Sequence, residues 1–177
     1  MMKNNFFKFI ILLSIMVSAC SIDLKTKEIA KTALKEHSVL IIQNYFDLSY
    51  IENPAIAFGF LGNVSKVIRL PLIFLLTISV TLLGFYVIWR IRTKKFRFLL
   101  PFFIMIAGAA GNIVDRLLNG FVTDFIHLHY LDRYDFYVFN VADLLVNIGL
   151  ILILLQWKSF QVIFKEVFNS RDLLRTE

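Results

Sequence analysis

Leu70 to Trp89 is a run of 20 residues without one charged side chain. At about 1.5 Å per residue, a helix of that length reaches about 30 Å, the hydrocarbon thickness of a bilayer. A segment this apolar hides its backbone polar groups in lipid only by forming a helix or a closed barrel. Three further runs follow the same logic: Phe6 to Ile22, Phe98 to Leu117 and Val138 to Trp157. Charged residues make up only 18% of the chain, against about 25% in an ordinary soluble domain. The expected fold class is therefore an all-α membrane protein, a bundle of four transmembrane helices forming one integral domain over 1–177.

Charge sets the expected topology. Arg90, Arg92, Lys94, Lys95 and Arg97 crowd the short link between the second and third runs, with no acid among them. Such a loop stays cytoplasmic. Four spans then leave both termini, with Lys3, Lys8 and Lys158, on the same cytoplasmic side. Residues 28–68 and 118–137 fall outside. The net charge of +6 does not form a basic patch interleaved with aromatics, so a nucleic-acid partner is not expected. Cys20 is the single cysteine and makes no intrachain disulfide. Val17-Ser18-Ala19-Cys20 resembles a lipoprotein cleavage box, but three later spans favour an uncleaved first helix.

The outer segment 28–68 is mixed. Glu28 to Glu36 is compatible with helix. Phe46, Leu48 and Tyr50 alternate with Asp47 and Ser49, a period of two that predicts strand. Asn53-Pro54, Gly59 and Gly62 read as turns. A small β-rich piece lying on the membrane is expected. The segment 118–137 is read as a connecting loop, and residues after Trp157 as a polar tail.

Polar residues converge on the outer side. Gly108, Asn112, Asp115 and Arg116 recur every three or four residues and share a helix face. Asn140, Asp143 and Asn147 do the same. Ionisable groups at membrane depth are costly and mark function. Gly108 and Gly111 suit either close helix packing or clearance for a substrate. Asp115 and Arg116 read as a structural ion pair. Asp124 and Asp143 lack fixed cationic partners, and two such carboxyls near one another share a proton. One then activates water while the other polarises a carbonyl. The residues alone leave other roles open: a loop acid capping a turn for Asp124, helix packing or an ion path for Asp143. A small transporter or channel with a polar intramembrane path is the alternative reading. It suffers from the apolar stretch Ile148 to Leu155.

His127 and His129 lie two apart, with Asp124 nearby. Without a ligand motif they read as interfacial loop histidines, and neither metal nor cofactor is called for. Phe121, Phe125, Tyr130, Tyr134, Phe136, Tyr137 and Phe139 read as an interfacial aromatic belt.

Four blocks carry a resemblance. They are Asp23-Leu24-Lys25-Thr26-Lys27, Gly108-Ala109-Ala110-Gly111-Asn112-Ile113-Val114-Asp115-Arg116, Val122-Thr123-Asp124-Phe125 and Phe139-Asn140-Val141-Ala142-Asp143. In this order and spacing the chain resembles lipoprotein signal peptidase, the bacterial intramembrane aspartic peptidase family. The resemblance implies that Asp124 and Asp143 are catalytic. It implies supporting or substrate-binding roles for Asp23, Lys27, Asn53, Gly108, Asn112, Asp115, Arg116, Asn140 and Ala142. It also implies an extracytoplasmic β-cradle, a periplasmic gating helix or loop between spans three and four, and an inner-membrane location. The implied substrate is a prolipoprotein cleaved before a diacylglyceryl-modified cysteine. Membrane lipids are the other expected partners, and a monomer is expected. Asn53-Pro54-Ala55-Ile56-Ala57-Phe58 departs from the family's N-x-G-A-A-F, and Leu24 from its usual Gln. Both changes bear on substrate fit rather than on the aspartates.

Overall fold

The computed structural model describes residues 2–55, 64–131 and 134–168. In chain order the elements are α1 (Met2–Ala33), β1 (Val39–Ile42), β2 (Phe46–Asn53), α2 (Lys66–Ile91), α3 (Phe96–Asn119), β3 (Val122–Tyr130), β4 (Tyr134–Asp135), α4 (Val141–Leu155) and α5 (Trp157–Phe168). Among the described residues three helices are long and apolar enough to cross a membrane, or four if α4 and α5 count as one bent span. The strands form a small antiparallel sheet in the order β1-β2-β3-β4. A mostly helical membrane protein with a small β-rich part is thus what the chain makes.

The helices pack on α3. Leu12 of α1, Ile88 and Ile91 of α2, Phe98, Leu99, Phe102, Phe103 and Ile106 of α3, and Phe160 and Ile163 of α5 form one apolar core. It occupies the end of the bundle where α2 turns into α3. There Lys8 donates to the carbonyls of Arg92 and Lys94, at 2.8 and 3.0 Å, and so ties α1 to the α2–α3 turn. The opposite end is polar and carries the sheet. α2 keeps its apolar side chains outward, with Leu75 65% and Leu82 61% exposed. In water that surface would be a liability; against lipid tails it costs nothing.

Four expectations are corrected. The first helix does not stop near Ile22 but continues to Ala33. Lys27 reaches back one turn to Asp23, at 2.8 Å, and the sequence that follows is rich in helix formers. The segment 118–137 is not merely a loop, and no gating helix occurs among its described residues: Val122–Tyr130 is a strand paired with β2. Its alternation was hidden because apolar and aromatic residues fall on both faces. The fourth helix begins at Val141, so Asp143 sits in its first turn rather than well below its end. That helix also ends at Leu155, and the chain bends by 82° into α5. The expected polar tail therefore starts as a helix. Phe160, Ile163, Phe164 and Val167 recur at helical spacing and pack on the core. Ile56, Ala57, Phe58, Gly59 and Gly62, read above from the sequence, lie outside the described residues, as does the chain beyond Phe168.

Gly108 and Gly111 serve close packing. A Cβ on Gly108 would run into the Ala142 carbonyl of α4, with Val146 Cγ2 at 3.0 Å. A Cβ on Gly111 would overlap the Asp23 carboxylate of α1, whose Cγ would stand 3.0 Å away. Gly111→Val is therefore expected to cost about 1–3 kcal/mol, as overpacking does. A lowered melting temperature in detergent checks it; an unchanged one would mean that α1 yields freely at Asp23.

Candidate active site

The polar end is built on one buried network. Asp23 is fully buried, and its Oδ1 accepts from the backbone N–H of Ala142 at 2.7 Å. This joins α1 to the first turn of α4. Lys27 lies 2.8 Å from Asp23 and 3.8 Å from Asp115, and its Nζ donates to Asn112 Oδ1 at 2.7 Å. Asn112 Nδ2 in turn donates to Asp143 Oδ1 at 3.0 Å. Asp115 accepts from the Thr123 N–H at 2.6 Å and from Asn119 Nδ2 at 2.6 Å, fixing the start of β3 to α3. The expected Asp115–Arg116 ion pair is replaced. Asp115 has Lys27 as its ionic partner, while Arg116 donates to the Ala55 carbonyl at 2.9 Å. Neighbouring residues on a helix point about 100° apart, so each finds its own partner.

Asp124 and Asp143 meet through an asparagine. Asn140 is the N-cap of α4, and its side chain accepts from the Asp143 N–H at 3.0 Å. Asp143 Oδ2 accepts from the Asn140 N–H at 3.2 Å, closing a capping box. The same Asn140 side chain donates through Nδ2 to Asp124 Oδ1 at 2.6 Å. Asn53, at the end of β2, donates to Asp124 Oδ2 at 2.7 Å. Each oxygen of Asp124 thus receives one amide hydrogen. Asp143 stands in the first turn of α4. Asp124 is 2% exposed, and burial pushes its carboxyl up to about 6. The charge of Asp143 adds to that rise, while the bonds from Asn53 and Asn140 and the charge of Lys27 oppose it.

Both carboxyls open onto a cavity of about 410 Å³. Asn53, Asn112 and Arg116 share its polar end with them, and Leu128, Phe136, Val138, Leu144 and Val146 form apolar walls. Such a space suits an apolar ligand that carries a polar group at one end. The structure brings Asn53, Asn112, Arg116 and Asn140 to the two aspartates. Asp23, Lys27, Asp115, Gly108 and Ala142 lie behind them, joining the helices. Sequence reasoning missed the apolar walls. Asp143, Val146 and Asn147 carried the signal, being spaced as one helix face.

Residues 15–159 match the family model described as signal peptidase (SPase) II. The chain belongs to the signal peptidase II family. Members are aspartic peptidases, and the chain is a hydrolase of that class. It is 38% identical over 133 residues to the lipoprotein signal peptidase of Clostridium acetobutylicum, covering 75% of this chain and 83% of that one. With the lipoprotein signal peptidase of Aquifex aeolicus the identity is 30% over 157 residues, covering 89% and 91%. Among solved structures, a bacterial membrane enzyme determined by the in meso method at 2.3 Å resolution superposes with a TM-score of 0.69. The two share 29% identity over 84% of this chain and 87% of that one.

Proposed function

We propose that this signal peptidase II removes signal peptides from prolipoproteins, cutting before a diacylglyceryl-modified cysteine with Asp124 and Asp143 as the catalytic pair. One observation carries the assignment: two carboxyls that, among the described residues, have no basic side chain hydrogen-bonded to either share one asparagine at the head of an apolar-walled cavity. One carboxylate takes a proton from water as the water oxygen attacks the peptide carbonyl. The other, protonated, donates to that carbonyl oxygen. Collapse of the tetrahedral species breaks the C–N bond and sends a proton to the leaving amine. The products are the signal-peptide carboxylate and an N-terminal cysteine, and the pair ends with the proton it began with.

Asn140 and Asn112 hold the pair without supplying protons. Asn53 steadies Asp124 from the sheet. The four spans run with both termini cytoplasmic in the bacterial inner membrane, as a monomer, with the pair near the outer face. The five positive charges between α2 and α3 support that orientation. The sheet then lies as an outer cradle over the site.

Purified protein in detergent should convert a diacylglyceryl-modified precursor to the mature chain, and leave the same precursor without the lipid intact. Mass measurement of the products reads both reactions. Equal cleavage of the two precursors would overturn the lipid requirement, and no cleavage of either would overturn the substrate class.

A further inference from the structure

The face of β3 opposite the cavity holds a second cluster. Strand alternation turns Asp124 and Leu128 to the cavity, and His127 and His129 the other way. Asp47 of β2 pairs with His127 in register. His127 Nδ1 lies 2.9 Å from Asp47 Oδ1, and His129 Nε2 lies 3.2 Å from the same oxygen. The rings are stacked, with centroids 5.1 Å apart. All three ligand atoms lie within 4.8 Å of one another. The side chains are partly exposed, so an ion reaches them from solvent.

We propose that Asp47, His127 and His129 bind a divalent transition-metal ion, Zn²⁺ foremost, on the side of the sheet turned away from the catalytic pair. Tetrahedral bonds of about 2.0–2.2 Å set ligand atoms about 3.3–3.6 Å apart. Two of the three edges are already near that length, and side-chain rotation closes the third. Two imidazoles with one carboxylate select zinc-like ions over Mg²⁺ or Ca²⁺, which prefer oxygen. Water completes the shell. Ligation uses the lone pairs of His127 Nδ1 and His129 Nε2. The third ligand escaped the sequence reading because Asp47 lies 80 residues from His127, whereas Asp124, nearer in sequence, faces the cavity.

The site joins two strands that serve the catalytic end. β2 ends in Asn53 and β3 carries Asp124, three residues before His127. Bound metal braces that pair and stabilises the folded chain by mass action, taking no part in hydrolysis.

The test uses full-length protein with a histidine-free tag, stripped with chelator. Zn²⁺ is titrated by calorimetry, and Co²⁺ by its visible bands. One equivalent should bind, with a rise in melting temperature. Asp47→Asn and His129→Gln should each weaken Zn²⁺ at least tenfold and remove the rise. Asp124→Asn should bind as wild type does. The proposal fails if binding does not saturate, if both single variants bind like wild type, or if Asp124→Asn removes the ion. Should Asp47→Asn fold poorly, His129→Gln decides alone.

Discussion

Asp143→Asn and Asp124→Asn should each lower cleavage of lipid-modified precursor by about 10³-fold or more, because loss of one group ends both proton transfers. The capping box survives in Asp143→Asn, although the bond from Asn112 Nδ2 to Asp143 Oδ1 is lost. Asparagine at that position still accepts the Asn140 N–H through its amide oxygen, so the start of α4 stays formed. Turnover within tenfold of wild type for either variant would remove that residue from the chemistry. Asp124→Asn has a second readout. The folded chain holds the Asp124 proton up to about pH 6, above the ordinary 3.8. Its contribution to stability is present below the ordinary value and is lost as pH rises through about 6. The separation corresponds to roughly 3 kcal/mol. Asn does not titrate, so melting of Asp124→Asn relative to wild type should improve between pH 4 and pH 8. A difference that stays flat across that range would mean that Asp124 is not held in a desolvated place.

Lys27→Met should be the most damaging change away from the pair. Lys27 is 3% exposed and lies between Asp23 and Asp115, both buried. Its removal strands two carboxylates in a dry region and leaves Asn112 Oδ1 with the longer bond from Asn140 Nδ2, 3.4 Å. Breaking a buried ion pair from one side costs about 3–5 kcal/mol. A large fall in melting temperature and in yield from membranes is expected. The double change Asp23→Asn with Lys27→Met should cost less than the two single costs added, because the partners act as a unit. Strict additivity would mean that Asp23 and Lys27 do not act as a unit.

The helices and the polar face of α3 were legible for a simple reason, whereas the reading of Asp124 with Asp143 came from the ordered blocks of the family resemblance. Apolar length and helical spacing are local properties, and both are written in consecutive residues. Gly108, Asn112 and Asp115 announce a face without reference to the rest of the chain. What sequence hid depends on distant partners. The Lys27–Asp115 contact and the Asp47–His127 pairing join segments far apart, and no local pattern encodes either. β3 was obscured for another reason: its cavity face is apolar apart from Asp124, and its other face carries Phe125 and two histidines. The strand alternates in burial without alternating cleanly in polarity. Phe160 was lost because the lysines around it outweighed a spaced apolar stripe.

The bend after Leu155 acts as a depth gauge. α4 has 15 residues, about 22 Å, against about 30 Å of hydrocarbon. α5 leaves it at 82°, near the angle of a helix lying along a membrane surface. With α5 at that surface, Asp143, 12 residues before Leu155, stands about 18 Å above it. That leaves the carboxyl nearer the proposed outer face than the α5 end and beside apolar walls, so the proposed hydrolysis runs on water that the protein itself must admit. Water supply, more than proton transfer, then sets the penalty for crowding the cavity: bulkier side chains at Leu128 or Val146 would dry the pair while leaving both aspartates in place.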